Sequence, residues 1–567
     1  MKLRHYMTAA LAVLCVSCQT SGQSDFLASQ APEEGKLFGE YLAGSYANYL
    51  DKSQVQSDYY SRAFKRANDD VELGRRAMSS AITAGQLDHA QSLARQVHSL
   101  DENEPMARAL LGIKAFKDKR YSQAEKYFSA ETSDITMGLL MGLTQGWSHI
   151  AEGEFEAGVK QLGTLDGGAY FFNHGILQIA KAEAYRGNNE AARTIFEEAE
   201  ETGQSPIETR LAKARFLHGQ GENDLALAEL KAFSEENGDF ETGPVKAYID
   251  ALGAGESFET RLSPQQEAAR ALTDPAYGFF VANRARDAGE VFLRLALSLD
   301  PDHHKAALWL GSLLESSERE DEALALYNNI PSSSEYYVST QLSEANIWFS
   351  RDEDDKAIAV LEAINARKPS YVTREALGRA RLIRENYEEA LPIYDAIVKS
   401  LSDEEIEANT QPLYFRAISY ERTKQWPLAE ADFKRVLEIE PENADALNYL
   451  GYTWVDRGEN LTEAFDMIRR AIQIEPNSGA IVDSLGWAHY KLGQYSEAKA
   501  KLEDAVALSP SSATIVDHLG DVYWKLGRYR EAGYQWERAL EFDPTEEERG
   551  QIQQKLKGGL EAVSARP

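Results

Sequence analysis

Ile481-Val482-Asp483-Ser484-Leu485-Gly486, continued by Leu492-Gly493, Tyr495, Glu497, Ala498, Ala505 and Pro510, returns 34 residues later. The second copy reads Ile515-Val516-Asp517-His518-Leu519-Gly520, then Leu526-Gly527, Tyr529, Glu531, Ala532, Ala539 and Pro544. That much identity at one fixed offset is the mark of a structural repeat, each unit too small to bury its own apolar face without a neighbour. The residue types fit two helices joined by a tight turn. Small Gly486 and Ala498 let the helices approach closely, Gly493 permits the turn, and Pro510 stops the second helix. Leu485, Leu502 and Ala505 then face the space between them.

These residues and this period resemble the tetratricopeptide-repeat (TPR) family, a helix-turn-helix unit that stacks into an α-solenoid. The resemblance implies an all-α superhelix. The spacing recurs upstream at Leu450-Gly451 with Ala464, Ala471 and Pro476, where the turn Arg457-Gly-Glu-Asn-Leu carries one extra residue. Further units are marked by Ala429, Phe433 and Pro441, by Leu377-Gly378 with Ala390 and Tyr394, by Ala345 with Ala357 and Leu361, and by Leu310-Gly311 with Ala323 and Tyr327. Toward the N-terminus the pattern thins to Leu111-Gly112 with Ala124 and Phe128, Ala192 with Phe196 and Ala199, and Ala226 with Leu230. About fourteen units fit between residues 37 and 546 at this period.

The pattern breaks between Glu235 and Pro264, where Asn237-Gly-Asp, Thr242-Gly-Pro and Gly253-Ala-Gly crowd together. This places an N-terminal array at 37–240, an irregular stretch at 241–269 that is either a hinge between two arms or a degenerate repeat, and a C-terminal array at 270–546. The polar segment after Pro544, Thr545 to Leu560, is expected to form a capping helix over the last apolar face, and the C-terminal array is followed by this cap and a tail at 547–567.

Composition narrows the function. A net charge of -31 opposes binding to nucleic acid or to an anionic lipid surface, because phosphate contacts need clustered Lys and Arg. Hydrophobic content of 43% is enough to build a core, so the acidity is not that of a disordered tail. Both cysteines, Cys15 and Cys18, lie in an N-terminal run that starts with Lys2 and Arg4 and continues through Met7-Thr-Ala-Ala-Leu-Ala-Val-Leu. Charge followed by a short apolar run is the order of an export signal, and the run is about half the ~20 residues a membrane-spanning helix needs. Cys15-Val-Ser-Cys18 has C-x-x-C spacing but lacks the folded βαβ setting of a redox site. Residues 1–18 resemble a bacterial lipoprotein signal, which implies lipidation of Cys18, followed by a polar linker at 19–36. Cys15 stands where such signals usually carry Leu, so an ordinary cleaved signal peptide is the alternative. In either case the chain after Cys18 has no cysteine for a disulfide.

No catalytic signature occurs: H-E-x-x-H, G-x-S-x-G and G-x-x-x-x-G-K-[ST] are absent. His303-His304 is the single histidine pair, and adjacent helical positions point in different directions, which disfavours a metal site. No cofactor is implied, and the chain is read as a non-enzyme.

What remains is binding. In a TPR array the first helix of each unit lines the concave face. Spacing from the Leu-Gly pair puts Asn448 and Tyr452, then Asp483, Trp487 and Tyr490, then Asp517, Asp521 and Trp524 on that face. Aromatics among a few polar groups are the composition of protein-binding hot spots. The competing reading is that Trp487 or Trp524 packs on the next repeat. Asp483 and Asp517 occupy places where TPR domains that capture a C-terminal carboxylate carry Lys, so a basic or extended internal segment of a partner suits these charges better.

The runs Asn448-Tyr-Leu-Gly-Tyr-Thr-Trp-Val-Asp, Asn460-Leu-Thr-Glu-Ala, Asp483-Ser-Leu-Gly-Trp and Asp517-His-Leu-Gly-Asp resemble a family of long proteobacterial TPR proteins, closely over residues 440–545 and more loosely upstream. That family includes outer-membrane lipoproteins that act as adaptors for a periplasmic carboxyl-terminal processing protease. The resemblance implies an envelope adaptor whose partner is such a protease or a cell-wall enzyme; the alternative is a soluble periplasmic chaperone or a component of an assembly or transport machine.

Overall fold

The computed structural model describes residues 33–50, 52–129, 132–165, 169–201, 206–237, 243–256, 258–281 and 286–564. Cys18 and the rest of residues 1–32 lie outside them. The described chain is helical, with no strand among the described residues, and reads as fourteen helix pairs between Glu33 and Ala539. Single helices stand outside the pairs at Pro244–Ala254, Asp403–Ala408, Glu546–Gly558 and Glu561–Ser564. This is the expected all-α repeat solenoid, divided into two compact units, Met1–Ser370 and Tyr371–Pro567.

One packing rule explains the Leu-Gly signature. A glycine on the first helix faces a bulky side chain sixteen residues later on the second: Gly112 and Phe128, Gly311 and Tyr327, Gly378 and Tyr394, Gly486 and Leu502, Gly520 and Trp536. A Cβ at Gly486 would sit 2.7 Å from Leu502 Cγ, and one at Gly520 2.6 Å from Trp536 Cδ1. The glycine's missing side chain is the space into which the ring or branched chain packs, and Tyr327, Tyr394 and Trp536 are almost fully buried there. In the unit with the lengthened turn, Gly451 meets Ile468 instead, one residue further on.

Seven residues after each small residue the chain turns through a left-handed conformation. Gly493 and Gly527 take it at φ +74° and +76°, where glycine is the unstrained choice. The same turn position is filled by Lys119, Glu318, Glu385 and Lys424, all at positive φ. Turn geometry is thus imposed by the stacking of the pair even where the residue disfavours it.

In the N-terminal unit the helices are α1 (Val71–Thr83), α2 (Pro105–Lys117), α3 (Ile135–Glu152), α4 (Ala169–Arg186), α5 (Asn189–Glu201), α6 (Pro206–Gly219), α7 (Pro244–Ala254), α8 (Pro264–Val281) and α9 (Arg286–Leu299), with further pairs before, between and after them. The packing departs from a one-dimensional stack, in which a repeat touches only its neighbours. Helices α8 and α9 return onto α1, α2 and α3, and one continuous core runs from Tyr60 to Ile347. Polar bonds fix the return: Gln265 Nε2 donates to the carbonyls of Phe116 (3.1 Å) and Lys117 (2.9 Å), and Arg319 donates to the carbonyl of Thr83 (2.6 Å). The irregular stretch expected at 241–269 contains α7, flanked by Gly243 and Gly255 at φ +87° and +69°, then the segment 258–263 without regular structure. The boundary between the compact units falls elsewhere, after Ser370. Breakers mark where the chain turns, whereas shared burial decides what stays together.

The C-terminal unit contains α10 (Ala444–Arg457), α11 (Leu461–Ile474), α12 (Gly479–Lys491), α13 (Tyr495–Leu508), α14 (Ala513–Lys525), α15 (Tyr529–Ala539) and α16 (Glu546–Gly558), preceded by the pairs from Tyr371 to Ile439. The lengthened turn after α10 accommodates its extra residue with two left-handed positions, Gly458 and Asn460. Helix α16 starts with a capping box in which Thr545 and Glu548 satisfy each other's backbone N–H groups. It closes the last pair by burying Ile552 and Lys555.

Candidate functional site: the inner face of the C-terminal unit

The first helices α10, α12 and α14 pack on one another, while their partners α11, α13 and α15 stand apart from each other. The first helices therefore line the inner face. Homologous positions fall in two rows there, Asn448, Asp483 and Asp517 in one, and Tyr452, Trp487 and Asp521 in the other, as helical spacing requires.

Asn448 and Tyr452 are half-buried on α10. The Asn448 Oδ1 atom is enclosed without a hydrogen-bond partner. Burial, and then the charges of Asp483 and Asp456, push the Tyr452 phenol well above its usual range, so it stays a neutral donor.

Asp483 on α12 is buried and accepts a hydrogen bond from His518 Nδ1 at 3.0 Å. Burial opposes charge on His518, but Asp483, with Asp517 and Asp521, outweighs it and raises the imidazole above 6.5. The ring of Trp487 lies between Tyr490 (centroids 4.6 Å apart, 14° between planes) and His518 (4.0 Å, 18°). Its Nε1 atom is enclosed without an acceptor. Burial, then Asp521, raise the Tyr490 phenol. Asp483, Trp487 and Tyr490 thus form one stack braced by a histidine from the next repeat.

At the last repeat the acidic groups are already answered from within the chain. Lys555 of α16 places Nζ 2.6 Å from Asp517 Oδ2 and 2.8 Å from the Asp521 carboxylate. Asp521 also accepts from Trp536 Nε1 at 2.9 Å. Burial, and then neighbouring Asp517, push the Asp521 carboxyl up to about 6 despite Lys555. Asp517 keeps Oδ1 without a partner. Trp524 packs against Tyr529 and Trp536 at 4.5 and 5.4 Å, and Gly559, at φ +69°, passes directly over its ring. Lys555 was not singled out by the sequence; a Lys on the buried face of an otherwise polar terminal helix, 38 residues from Asp517, was the available signal.

A second buried charge cluster, in the N-terminal unit, also went unread in the sequence. Glu208 is enclosed and meets Lys181 (3.1 Å) and Lys305 (3.4 Å), and Lys305 also meets Asp274 (2.7 Å). Burial works against its charge, but Lys181, Lys305 and Arg215 hold the Glu208 carboxyl well below the usual range. His303 sits beside this cluster as a buried neutral ring, hydrogen-bonded to Thr273 Oγ1 at 2.9 Å, its pKa depressed by burial and by Arg270 and Lys305. Among the described residues no three His, Cys, Asp or Glu side chains converge as a metal site.

The sequence matches the tetratricopeptide-repeat family profile over residues 276–335, 415–479 and 484–547, which include α10 through α15 apart from residues 480–483 of α12. A TPR repeat-containing protein of Pseudomonas aeruginosa is 29% identical over 193 residues, 34% of this chain and 32% of that one. The match thus spans about a third of the length of that curated relative. Among solved structures, Cut9 with Hcn1 from the APC/C hetero-tetramer aligns with 94% of this chain and 98% of its own at 13% identity and a TM-score of 0.36. A thermophilic TPR protein of Thermus thermophilus aligns with 33% of this chain and 99% of its own at 21% identity and a TM-score of 0.30. MamA of AMB-1 aligns with 29% and 95% at 21% identity and a TM-score of 0.25. The helix pairs and their glycine contacts, with the profile match spanning about a third of the residues, show an all-α solenoid that carries tetratricopeptide repeats, and such repeats indicate a scaffold for protein–protein interaction.

Proposed function

We propose that this protein is a non-catalytic adaptor of the bacterial cell envelope that seats a partner protein on the inner face of its C-terminal repeats. The observation that carries the reading is the set of enclosed polar atoms without partners along that face: Asn448 Oδ1, Trp487 Nε1 and Asp517 Oδ1, one from each of three consecutive first helices. Buried polar groups are normally paired, and an extended polypeptide offers alternating donors and acceptors at the right chemistry. With Asp483 met by His518 and Asp517 and Asp521 by Lys555, the acceptors still open, Asn448 Oδ1 and Asp517 Oδ1, favour a segment that presents N–H donors. Tethering through Cys18 is part of the proposal and rests on the Lys2–Cys18 run. No described helix is long and apolar enough to cross a membrane. A carboxyl-terminal processing protease with its clients, or a cell-wall enzyme, is the partner class that the family resemblance suggests.

Affinity capture from solubilised envelopes, comparing the natural chain with Asn448→Ala/Trp487→Ala, tests the binding face. Loss of a partner by about tenfold, or ~1.4 kcal/mol, supports it. Equal recovery by both chains would remove this face from the account. Fractionation of Cys18→Ala tests the tether: a shift from membrane to soluble fraction is expected, and unchanged soluble behaviour of both chains favours a free periplasmic holder of clients.

A further inference from the structure

Away from the inner face of the C-terminal unit, the N-terminal unit holds a cavity of about 310 Å³ between α4, α5, α6, the start of α8 and the segment 258–263 that leads into α8. Its volume is at the lower end of the ~300–1,000 Å³ seen for small-molecule sites. Four cationic side chains and one carboxylate line it: Lys181, Arg186, Arg215, Arg261 and Glu267. Two of the cations are engaged by carboxylates. Lys181 Nζ meets Glu208 at 3.1 Å and Glu267 at 3.6 Å, and Arg186 meets Glu183 at 2.7 Å and Glu156 at 2.8 Å.

The other two are less fully met: Arg215 has a carboxylate only at ion-pair distance, and Arg261 has none among the described residues. Arg215 is 8% exposed; its Nη1 donates to the Tyr248 hydroxyl at 3.3 Å, while Nη2, 3.5 Å from an already shared Glu208 oxygen, makes no hydrogen bond. Arg261 donates to the carbonyl of Tyr185 at 2.9 Å and lies over the Tyr185 ring, with no carboxylate partner among the described residues. On the acceptor side, Glu267 is 8% exposed and its Oε2 has no hydrogen bond. One enclosed donor, Arg215 Nη2, and one enclosed acceptor, Glu267 Oε2, thus face the same cavity with ion-pair neighbours but no hydrogen bond, which is costly unless something fills it.

The cover of the cavity is built in. Phe258 stacks on His218 and meets the tilted ring of Tyr248, each 4.3 Å between ring centroids, and Leu262 is buried, so the segment is fixed at both ends while Thr260 and Arg261 between them stay exposed. The inner walls are aromatic, from Tyr185, Phe196 and Phe216.

We propose that this cavity is a binding site for a small zwitterion of the α-amino-acid class with an aromatic side chain. Its carboxylate is received by Arg215 and Arg261, whose planar N–H forks match that group. Its ammonium donates to Glu267 Oε2, and its ring lies among Tyr185, Phe196 and Phe216. The site is separate from the protein-binding face and stands whether or not that face binds a partner.

Isothermal titration of the full chain with L-phenylalanine, 3-phenylpropionate and phenethylamine tests it, since the last two each lack one charge. One saturable site for L-phenylalanine is expected, with each analogue weaker by about tenfold or more. Arg261→Ala, at an exposed position that leaves helical content unchanged, is expected to weaken L-phenylalanine by about tenfold. No saturable binding of L-phenylalanine at millimolar concentration, equal binding of 3-phenylpropionate, or an unchanged affinity in Arg261→Ala would each overturn the proposal.

Discussion

Lys555 Nζ lies 2.6 Å from Asp517 Oδ2, so one carboxylate oxygen of the last repeat's inner face is held by a cation from the helix that follows it. The same ammonium reaches Asp521 at 2.8 Å, and both Lys555 and Asp521 are buried. Removing Lys555 leaves two neighbouring carboxylates with no cation between them. Lys555→Met is therefore predicted to destabilise the C-terminal unit by about 3 kcal/mol, the scale for breaking a buried pair from one side. Urea denaturation followed by circular dichroism checks this; a change under about 0.5 kcal/mol would mean that α16 contributes little to closing the unit.

The pH response of this unit follows from two groups whose folded pKa values are raised. Asp521 stands near 6 rather than 3.8 because of burial and Asp517, and His518 is raised above 6.5 because Asp483 outweighs its burial. A raised folded pKa stabilises below the unfolded value, and that stability is lost as pH rises through the folded value. Asp521 thus favours folding in mild acid and loses its contribution between about 3.8 and about 6, and His518 loses its contribution above 6.5. The melting midpoint of the unit is predicted to fall across the first window in the natural chain and to fall less in Asp521→Asn. Identical pH profiles for the two chains would contradict the assignment.

Gly520 faces Trp536 so closely that a Cβ would sit 2.6 Å from Cδ1 of the ring. The indole is also held by its bond to Asp521, so it has little room to yield. Gly520→Ala is predicted to cost about 1–3 kcal/mol, the usual penalty of overpacking, although alanine is the better helix former on propensity alone. A stabilised variant in thermal denaturation would show that the ring moves freely.

Glu385 holds the left-handed turn position, at φ 55°, that Gly493 holds in another repeat. It is exposed. The left-handed conformation costs a non-glycine residue ~1–2 kcal/mol, and part of this is returned in chain entropy when glycine replaces it. Glu385→Gly is predicted to raise stability by about 0.5 kcal/mol, read in urea denaturation.

These cases also show what the sequence could and could not disclose. The Leu-Gly pairs, the turn glycines and the stop prolines are local, since each acts within one repeat, and so the all-α repeat was readable. Asn448, Asp483 and Asp517 emerged in one row because helical spacing alone puts them there. Lys555 was hidden because many lysines could in principle fold back on an acidic face, and nothing local marks the one that does. The Glu208–Lys305 pair spans 97 residues, and the return of α8 onto α2 through Gln265 and Phe116 spans 149. Contacts of that range depend on how the stack curves, which no single repeat encodes.

The central claim is that the inner face of the C-terminal repeats, and not their outer helices, holds the partner. Site-specific photocrosslinking in intact cells tests it most directly, with the reactive residue placed at Tyr452 on α10 or at exposed Ala500 on α13. The account predicts a discrete protein adduct from position 452 and none from position 500. Adducts of equal yield from both positions, or from position 500 alone, would contradict it.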